Sequence, residues 1–159
     1  MEWTDAAPLN GINTYYVVPC RVAGEIGMPD SVRCFSGNDA PAAPVEAKAT
    51  KVGDQSIKVE WKAPNIGANN GYVNQANLKY IVTRQPDNVK VADTDQTTIT
   101  DNTVTGDDNY YYEVQAYTNE GGKGGVATTE KVRAGLGWDT PQKFNLFDEN
   151  EANRWTVVD

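Results

Sequence analysis

Few side chains in this sequence are suited to acid–base or nucleophilic chemistry. The 159 residues include no histidine and only two cysteines, Cys20 and Cys34. Without histidine the chain cannot form a Ser-His dyad, a Cys-His dyad or a histidine-ligated zinc site. Two thiols are also too few for a zinc site built from four thiolates. We therefore expect no catalytic residue, no cofactor and no metal ligand.

Acidic residues occur in three short clusters, and each is a candidate cation site. A calcium loop supplies about six to eight oxygen ligands from a regular Asp-x-Asp-x-Asp-Gly pattern, which none of the clusters follows. A glycosidase pair needs two carboxylates facing each other across a cleft, which acids at loop tips do not provide. We interpret the clusters as solvated turns. They are Asp93 with Asp95, Asp107 with Asp108, and Asp148 with Glu149.

The overall charge limits the class of partner. The formal net charge is −8, and lysine and arginine form no cluster, so we expect neither nucleic acid nor an anionic membrane surface as a ligand. No apolar run approaches the ~20 residues that span a bilayer, so no membrane insertion is expected. The first residues lack the regions of a signal peptide, and we expect any secretion signal to lie outside this fragment.

Alternation of apolar and polar residues predicts the elements that position these side chains. Ile57, Val59 and Trp61 fall on one face of an extended segment, and residues 110–116 repeat that period of two. We count about seven strands between residues 45 and 134 and no helical period, which predicts an all-β sandwich. We expect its last strand to cover 126–134, after a flexible glycine-rich hairpin tip at 121–125.

The N-terminal part predicts a separate hairpin. Residues 13–22 and 31–35 alternate, with Tyr16, Val18, Cys20 and Val22 on one apolar face. A stretch with two prolines at 37–44 is interpreted as a linker that separates modules. Residues 16–20 align with 112–116, and 31–34 align with 131–134. The offset matches one sandwich module of roughly 100 residues.

The two cysteines allow two interpretations. Cys20 and Cys34 lie on adjacent predicted strands, both on the inward side, where the repeat has Ala116 and Ala134. Near-opposed positions can supply the Cα separation of ~4.4–6.8 Å that a disulfide needs. The alternative is a pair of reduced thiols in the core. No base is present to activate either one.

Several residues together resemble the fibronectin type III family. They are the entry Ala42, Ala43 and Pro44, then Trp61 followed by Ala63 and Pro64, Tyr80 to Val82, and Val104 with Tyr110, Tyr112, Val114 and Ala116. The resemblance implies an immunoglobulin-like sandwich over 41–136, preceded at 1–40 by the last hairpin of an earlier copy. It also implies that Trp61 packs between the sheets and that the Tyr110 hydroxyl bonds to nearby backbone. The expected core is Trp61, Tyr80, Val104, Tyr110, Tyr112 and Val114.

The C-terminal residues do not repeat the module. Trp138, Phe144, Phe147, Trp155 and Val157 are too apolar for a tail in water. Residues 137–159 are similar to the start of a jelly-roll, adhesin-like domain that follows type III repeats in secreted proteins of Bacteroidetes-type bacteria. An isolated hairpin is marginal in water, so both ends need cover. Either adjoining sequence completes them, or they cover each other or a second chain.

These features predict a non-catalytic module in a secreted or cell-surface multidomain protein, acting as a spacer or in adhesion. Its partners would be the neighbouring domains of the same polypeptide. The alternative is a module that binds a glycan or a surface protein. In that case the ligand would meet the outward Tyr111 and Tyr117 and the loop that begins at Asn65 and ends at Asn77, because exposed tyrosines stack on sugars and anchor partners.

Overall fold

The computed structural model describes residues 2–24 and 26–135. Within these residues the chain forms a two-stranded hairpin followed by a sandwich of two antiparallel sheets, so the all-β fold predicted from the alternation is confirmed. The strands are β1 Gly11–Val17, β2 Asp30–Ser36, β3 Val45–Gly53, β4 Ser56–Lys62, β5 Lys79–Gln85, β6 Val89–Thr94, β7 Thr98–Asp101, β8 Asn109–Thr118, β9 Gly122–Thr128 and β10 Val132–Arg133, with a 3-10 turn at Gln75–Asn77.

The two sheets of the sandwich differ in size. Strands β3, β4 and β7 form one sheet in that order, and the other runs β10, β8, β5, β6, with β9 also paired to β8. Because successive strand side chains point to opposite faces, every second residue of β4, β5 and β8 is buried between the sheets. That alternation is the feature from which the strands were predicted.

Trp61 lies in the middle of this core. It is 4% exposed and packs edge-on against Tyr80, with the ring centroids 5.3 Å apart. Ile57 and Val59 from the same strand are fully buried. Burial of each such side chain stabilises the fold by about 1.5–3 kcal/mol, so this cluster accounts for much of the cohesion between the sheets.

The last strand differs from its prediction. The expected single strand at 126–134 is divided into β9 and β10, and β9 already starts at Gly122. The glycine-rich stretch is therefore not a free hairpin tip. It is paired with β8, where Thr118 is opposite Gly122 and Tyr117 is opposite Lys123. The reason is that the backbone of residues 39–43 packs against these glycines.

The first strand of the N-terminal hairpin is also shorter than predicted, and the face predicted to be apolar and inward is the exposed one. β1 ends at Val17, before Pro19, which has no N–H to donate to a ladder. Tyr15 is paired with Val32 and approaches Trp3, whereas Tyr16 is 70% exposed on the other face. A register change of one residue exchanges the two faces of a strand, which is why the predicted apolar face was wrong.

This register also corrects both predictions for the cysteines. Cys20 lies beyond β1, in an isolated bridge to Ile26, and Cys34 is opposite Asn13. Both thiols are free and exposed. They are therefore neither a cross-strand disulfide nor a pair of buried thiols, because the strand expected to carry Cys20 inward ends three residues before it.

Candidate functional site

A set of backbone and side-chain hydrogen bonds joins the hairpin to the sandwich. We call residues 37–44 the junction segment and residues 65–77 the long loop. The junction segment makes three backbone hydrogen bonds with the long loop, which hold the two together side by side. These bonds run from Asp39 N to Tyr72 O at 2.8 Å, from Ala42 N to Ile66 O at 3.0 Å, and from Ala68 N to Ala40 O at 2.8 Å.

Asp39 anchors the junction segment. Its carboxylate accepts hydrogen bonds from Asn69 N at 2.7 Å, Asn69 Nδ2 at 2.9 Å and Gly71 N at 3.0 Å, and the residue is 1% exposed. Burial alone would raise the pKa of Asp39, but these hydrogen bonds outweigh it and hold the pKa below its ordinary value. The carboxylate therefore stays ionised and bound to the loop at neutral pH.

Gly121, just before β9, and the glycines within β9 allow the junction segment to approach closely from the other side. A Cβ on Gly121 would lie 2.0 Å from the Asp39 carbonyl oxygen, and one on Gly124 would lie 2.0 Å from the Pro41 carbonyl oxygen. Gly125 N donates to that same Pro41 oxygen at 3.0 Å. Only residues without a side chain fit here, which explains why a glycine-rich sequence forms a strand.

The end of the hairpin meets the long loop directly. A Cβ on Gly71 would lie 2.5 Å from a ring carbon of Phe35 in β2, so the phenyl ring rests against the loop backbone. A groove of about 270 Å³ runs beside this contact. The groove is lined by Ile12, Arg33, Cys34, Phe35, Asn69 and Asn70.

These contacts correct the prediction for residues 37–44. A Pro-rich stretch was expected to separate modules as a linker, but Asp39, Pro41 and Pro44 are buried. The segment is a packed part of the sandwich that holds the hairpin against it. The same contacts occupy much of the long loop, leaving Tyr72 as its largest exposed side chain, at 65%.

The two tyrosines predicted to face a ligand lie on the outward face of β8. Tyr111 and Tyr117 are both half-buried. The Tyr117 hydroxyl donates to Asp93 Oδ1 at 2.7 Å, and Lys90 Nζ donates to Asp93 Oδ2 at 2.6 Å. Because Asp93 belongs to β6 and β5 lies between β6 and β8, the Tyr117 ring is held across β5.

The six residues expected in the core are all buried, at 0–6% exposure. The Tyr110 hydroxyl donates to Thr105 O at 2.8 Å, the backbone contact that the family resemblance implied. The Trp61 indole Nε1 is buried without a hydrogen-bond partner in the described part of the chain. Its role there is packing.

Sequence reasoning missed a cluster of buried polar contacts around Arg84 and Asp101. Arg84 donates to Asp101 Oδ2 at 2.9 Å and to Asp87 Oδ2 at 2.6 Å, and the Tyr112 hydroxyl donates to Asp101 at 3.0 Å. Burial alone would raise the pKa of Asp101, but hydrogen bonds led by Thr103 and Arg84 hold it below its ordinary value. Arg84 follows Tyr80 and Val82 on the inward face of β5, and Tyr112 lies between Tyr110 and Val114 on that of β8. That inward position was the available signal.

Among residues 2–24 and 26–135, no group of three or more cysteine or acidic side chains is placed to hold a metal ion. The same residues contain no helix long and apolar enough to cross a membrane.

The geometry defines an immunoglobulin-like sandwich joined by a packed segment to a preceding hairpin. A model of the fibronectin type III domain matches residues 42–132, which is more than half of the chain. The chain therefore belongs to the fibronectin type III family.

Interleukin-6 receptor subunits share sequence with this chain. Interleukin-6 receptor subunit beta of Rattus norvegicus is 28% identical over 106 residues, which covers 67% of this chain and 12% of that protein. The Homo sapiens protein of the same name is 27% identical over 112 residues, covering 69% and 12%. The chain thus spans about an eighth of the length of these relatives, and the relationship concerns the domain rather than the whole receptor subunit.

Solved structures support the fold alone. A run of titin domains superimposes with a TM-score of 0.52 at 20% identity, covering 67% of this chain and 37% of that one. The titin kinase with its flanking domains gives a TM-score of 0.50 at 22% identity, covering 60% and 17%. In these comparisons, as in the receptor relatives, the matched part is one section of a longer chain.

Proposed function

We propose that this chain is a non-catalytic structural module that holds its neighbouring domains at a defined angle in a secreted or cell-surface multidomain protein. The observation that carries this proposal is the junction segment. A free linker would leave Asp39 and Pro41 in solvent, whereas here both are buried and hydrogen-bonded to the sandwich. Fixed orientation is the property that a spacer needs.

The pairing of the hairpin supports the proposal that residues 1–40 end a preceding module. Tyr15 is opposite Val32 in the hairpin as Tyr110 is opposite Val132 in the sandwich. One hairpin face also borders a cavity of about 740 Å³ lined largely by apolar groups, including Trp3, Tyr15, Val17 and Val32. In the sandwich the second sheet fills the equivalent space, and we infer that strands of an earlier module do so here.

The relatives support a place among cell-surface proteins. Those named above are receptor subunits, and we propose that this chain is likewise part of an extracellular multidomain protein. An origin in Bacteroidetes-type bacteria stays a prediction from resemblance. So does the jelly-roll, adhesin-like start at 137–159, which lies outside the described residues.

Residual dipolar couplings measured on the chain test the spacer function. We expect amides of the hairpin and of the sandwich to share one alignment tensor, because the junction segment fixes their relative orientation. Asp39→Ala should give two different tensors, whereas Asp95→Ala, in an exposed turn, should give one. Two tensors in the unaltered chain would overturn the proposal.

A second candidate function is binding of a glycan or a surface protein through the outward face of β8. The anchoring of Tyr117 by Asp93 favours it, since a ring held in place loses little conformational entropy when a ligand stacks on it. A glycan array decides between the two. Saturable binding that is lost in Tyr117→Ala would establish a binding module, and the absence of saturable binding would leave the spacer function.

A further inference from the structure

The chain contains two Asn-Gly bonds, Asn10–Gly11 and Asn70–Gly71. This dipeptide is prone to deamidation, because glycine does not shield its own nitrogen. That nitrogen loses its proton and attacks the asparagine Cγ, and the Cγ–Nδ2 bond breaks to release ammonia. Water then opens the cyclic imide at either carbonyl, leaving aspartate or isoaspartate. The second of these bonds lies in the long loop, at the centre of the junction.

The Gly71 nitrogen is not available for this attack. Its N–H donates to the buried Asp39 carboxylate at 3.0 Å, so the proton that must leave is held by an anion. A negative charge at that distance also disfavours the amide anion through which the reaction passes. The low pKa of Asp39 makes the carboxylate a weak base, which limits its ability to remove the proton.

The backbone around the bond is held as well. Asn70 N donates to Gly67 O and Gly67 N donates to Gly71 O, each at 3.0 Å, which closes a tight turn with Asn70 at a φ of +60°. Phe35 rests against Gly71 from the hairpin side. Swinging the Gly71 nitrogen onto the Asn70 side chain would break the turn and the contact with Asp39 together.

We propose that Asp39 protects the Asn70–Gly71 bond, which is a latent modification site that reacts only when the junction between hairpin and sandwich opens. The reaction would then mark the opened chain. A new carboxylate at position 70 lies beside the bonds that hold Asp39, and isoaspartate lengthens the backbone by one atom. Either product disfavours closure of the junction.

Peptide mapping by mass spectrometry of the chain incubated at mildly alkaline pH tests this. The gain of mass when NH2 becomes OH is followed at Asn70 and, as an internal reference, at Asn10. In the native chain the Asn70 reaction should be slower than in urea by on the order of tenfold or more, because it requires a local opening that costs free energy. Asp39→Ala should remove most of that difference.

Two further variants keep the test independent of misfolding. Asp39→Asn retains the shape and removes the charge, and it should accelerate the reaction at Asn70 while circular dichroism shows that the chain stays folded. Asp95→Ala should leave the Asn70 rate unchanged. The proposal is overturned if Asn70 reacts equally fast in buffer and in urea, or if both Asp39 variants stay protected. The reaction is read at the Asn70–Gly71 bond itself, so its outcome is distinguishable from that of the dipolar couplings, which report the orientation of the hairpin.

Discussion

Arg84 and Asp101 form a buried ion pair in which Nη1 donates to Oδ2 at 2.9 Å, with the side chains 8% and 1% exposed. The Asp101 carboxylate also accepts a hydrogen bond from the Thr103 hydroxyl, and Arg84 Nη2 donates to Asp87 Oδ2. The Arg84 guanidinium also lies 5.3 Å from the centre of the Tyr110 ring. These contacts compensate two charges that burial would otherwise penalise.

Removal of one member of this pair should destabilise the fold strongly. Arg84→Met leaves the Asp101 carboxylate uncompensated and should cost about 3–5 kcal/mol of unfolding free energy, measured by urea denaturation. The double variant Arg84→Met with Asp101→Leu should cost less, because no buried charge remains. Lys62→Met is the control. Its pair with Glu46 is 65% exposed on both sides, so its loss should cost about 0–1 kcal/mol. Equal costs for Arg84→Met and Lys62→Met would contradict the expectation.

The hydroxyl of Tyr110 provides a second test. Tyr110→Phe removes its hydrogen bond to Thr105 O and should lower the unfolding free energy by about 0.5–1.5 kcal/mol. Tyr111→Phe is a matched control on the opposite face of the same strand, and it should change stability by less than about 0.5 kcal/mol. A larger loss at position 111 than at 110 would refute the assigned role of the corner tyrosine.

A side chain at Gly124 should disturb the junction. Its Cβ would lie 2.0 Å from the Pro41 carbonyl oxygen, so Gly124→Ala must push the junction segment away, at a cost of about 1–3 kcal/mol. Gly53→Ala is the control, because the nearest atom to a Cβ there is at 3.4 Å. Thermal unfolding measures the stability of both variants. A Gly124→Ala variant as stable as Gly53→Ala would show that the approach of the junction segment is not tight.

Stability should fall on acidification. The pKa values of Asp39 and Asp101 are lowered in the folded chain, while an aspartate in the unfolded chain titrates near about 3.9. The folded state therefore binds fewer protons than the unfolded state. The two carboxylates contribute stability above the pKa of the unfolded chain, and this contribution is lost as the pH falls through their pKa values in the folded chain. Unfolding free energies measured between about pH 6 and pH 2 should decline most steeply below about pH 4. A flat profile in this range would contradict the assignment, and Asp39→Asn should show a weaker decline than the unaltered chain.

Strand identity and the central core followed from local pattern. Ile57, Val59 and Trp61 alternate with polar residues, and alternation depends only on the period of the extended backbone, so their shared burial was predictable. The role of Tyr110 was assigned from the family resemblance, and its hydroxyl donates a hydrogen bond to the backbone carbonyl of Thr105. The cysteines were misplaced because pairing register depends on the partner strand, which the pattern of one strand does not specify.

The sequence alone determined that this chain is an all-β sandwich whose sheets meet over Trp61, since that information resides in neighbouring residues. Only the tertiary structure decided that Asp39 is buried, that the stretch with two prolines is packed, and that the glycines at 121–125 allow its close approach. Each of these depends on segments about 30 to 80 residues apart in the sequence, such as Asp39 with Gly71 and with Gly121. The local sequence Asn38-Asp39-Ala40 is typical of an exposed turn. The Asp39 carboxylate can be buried only because folding brings to it the amides that bind it.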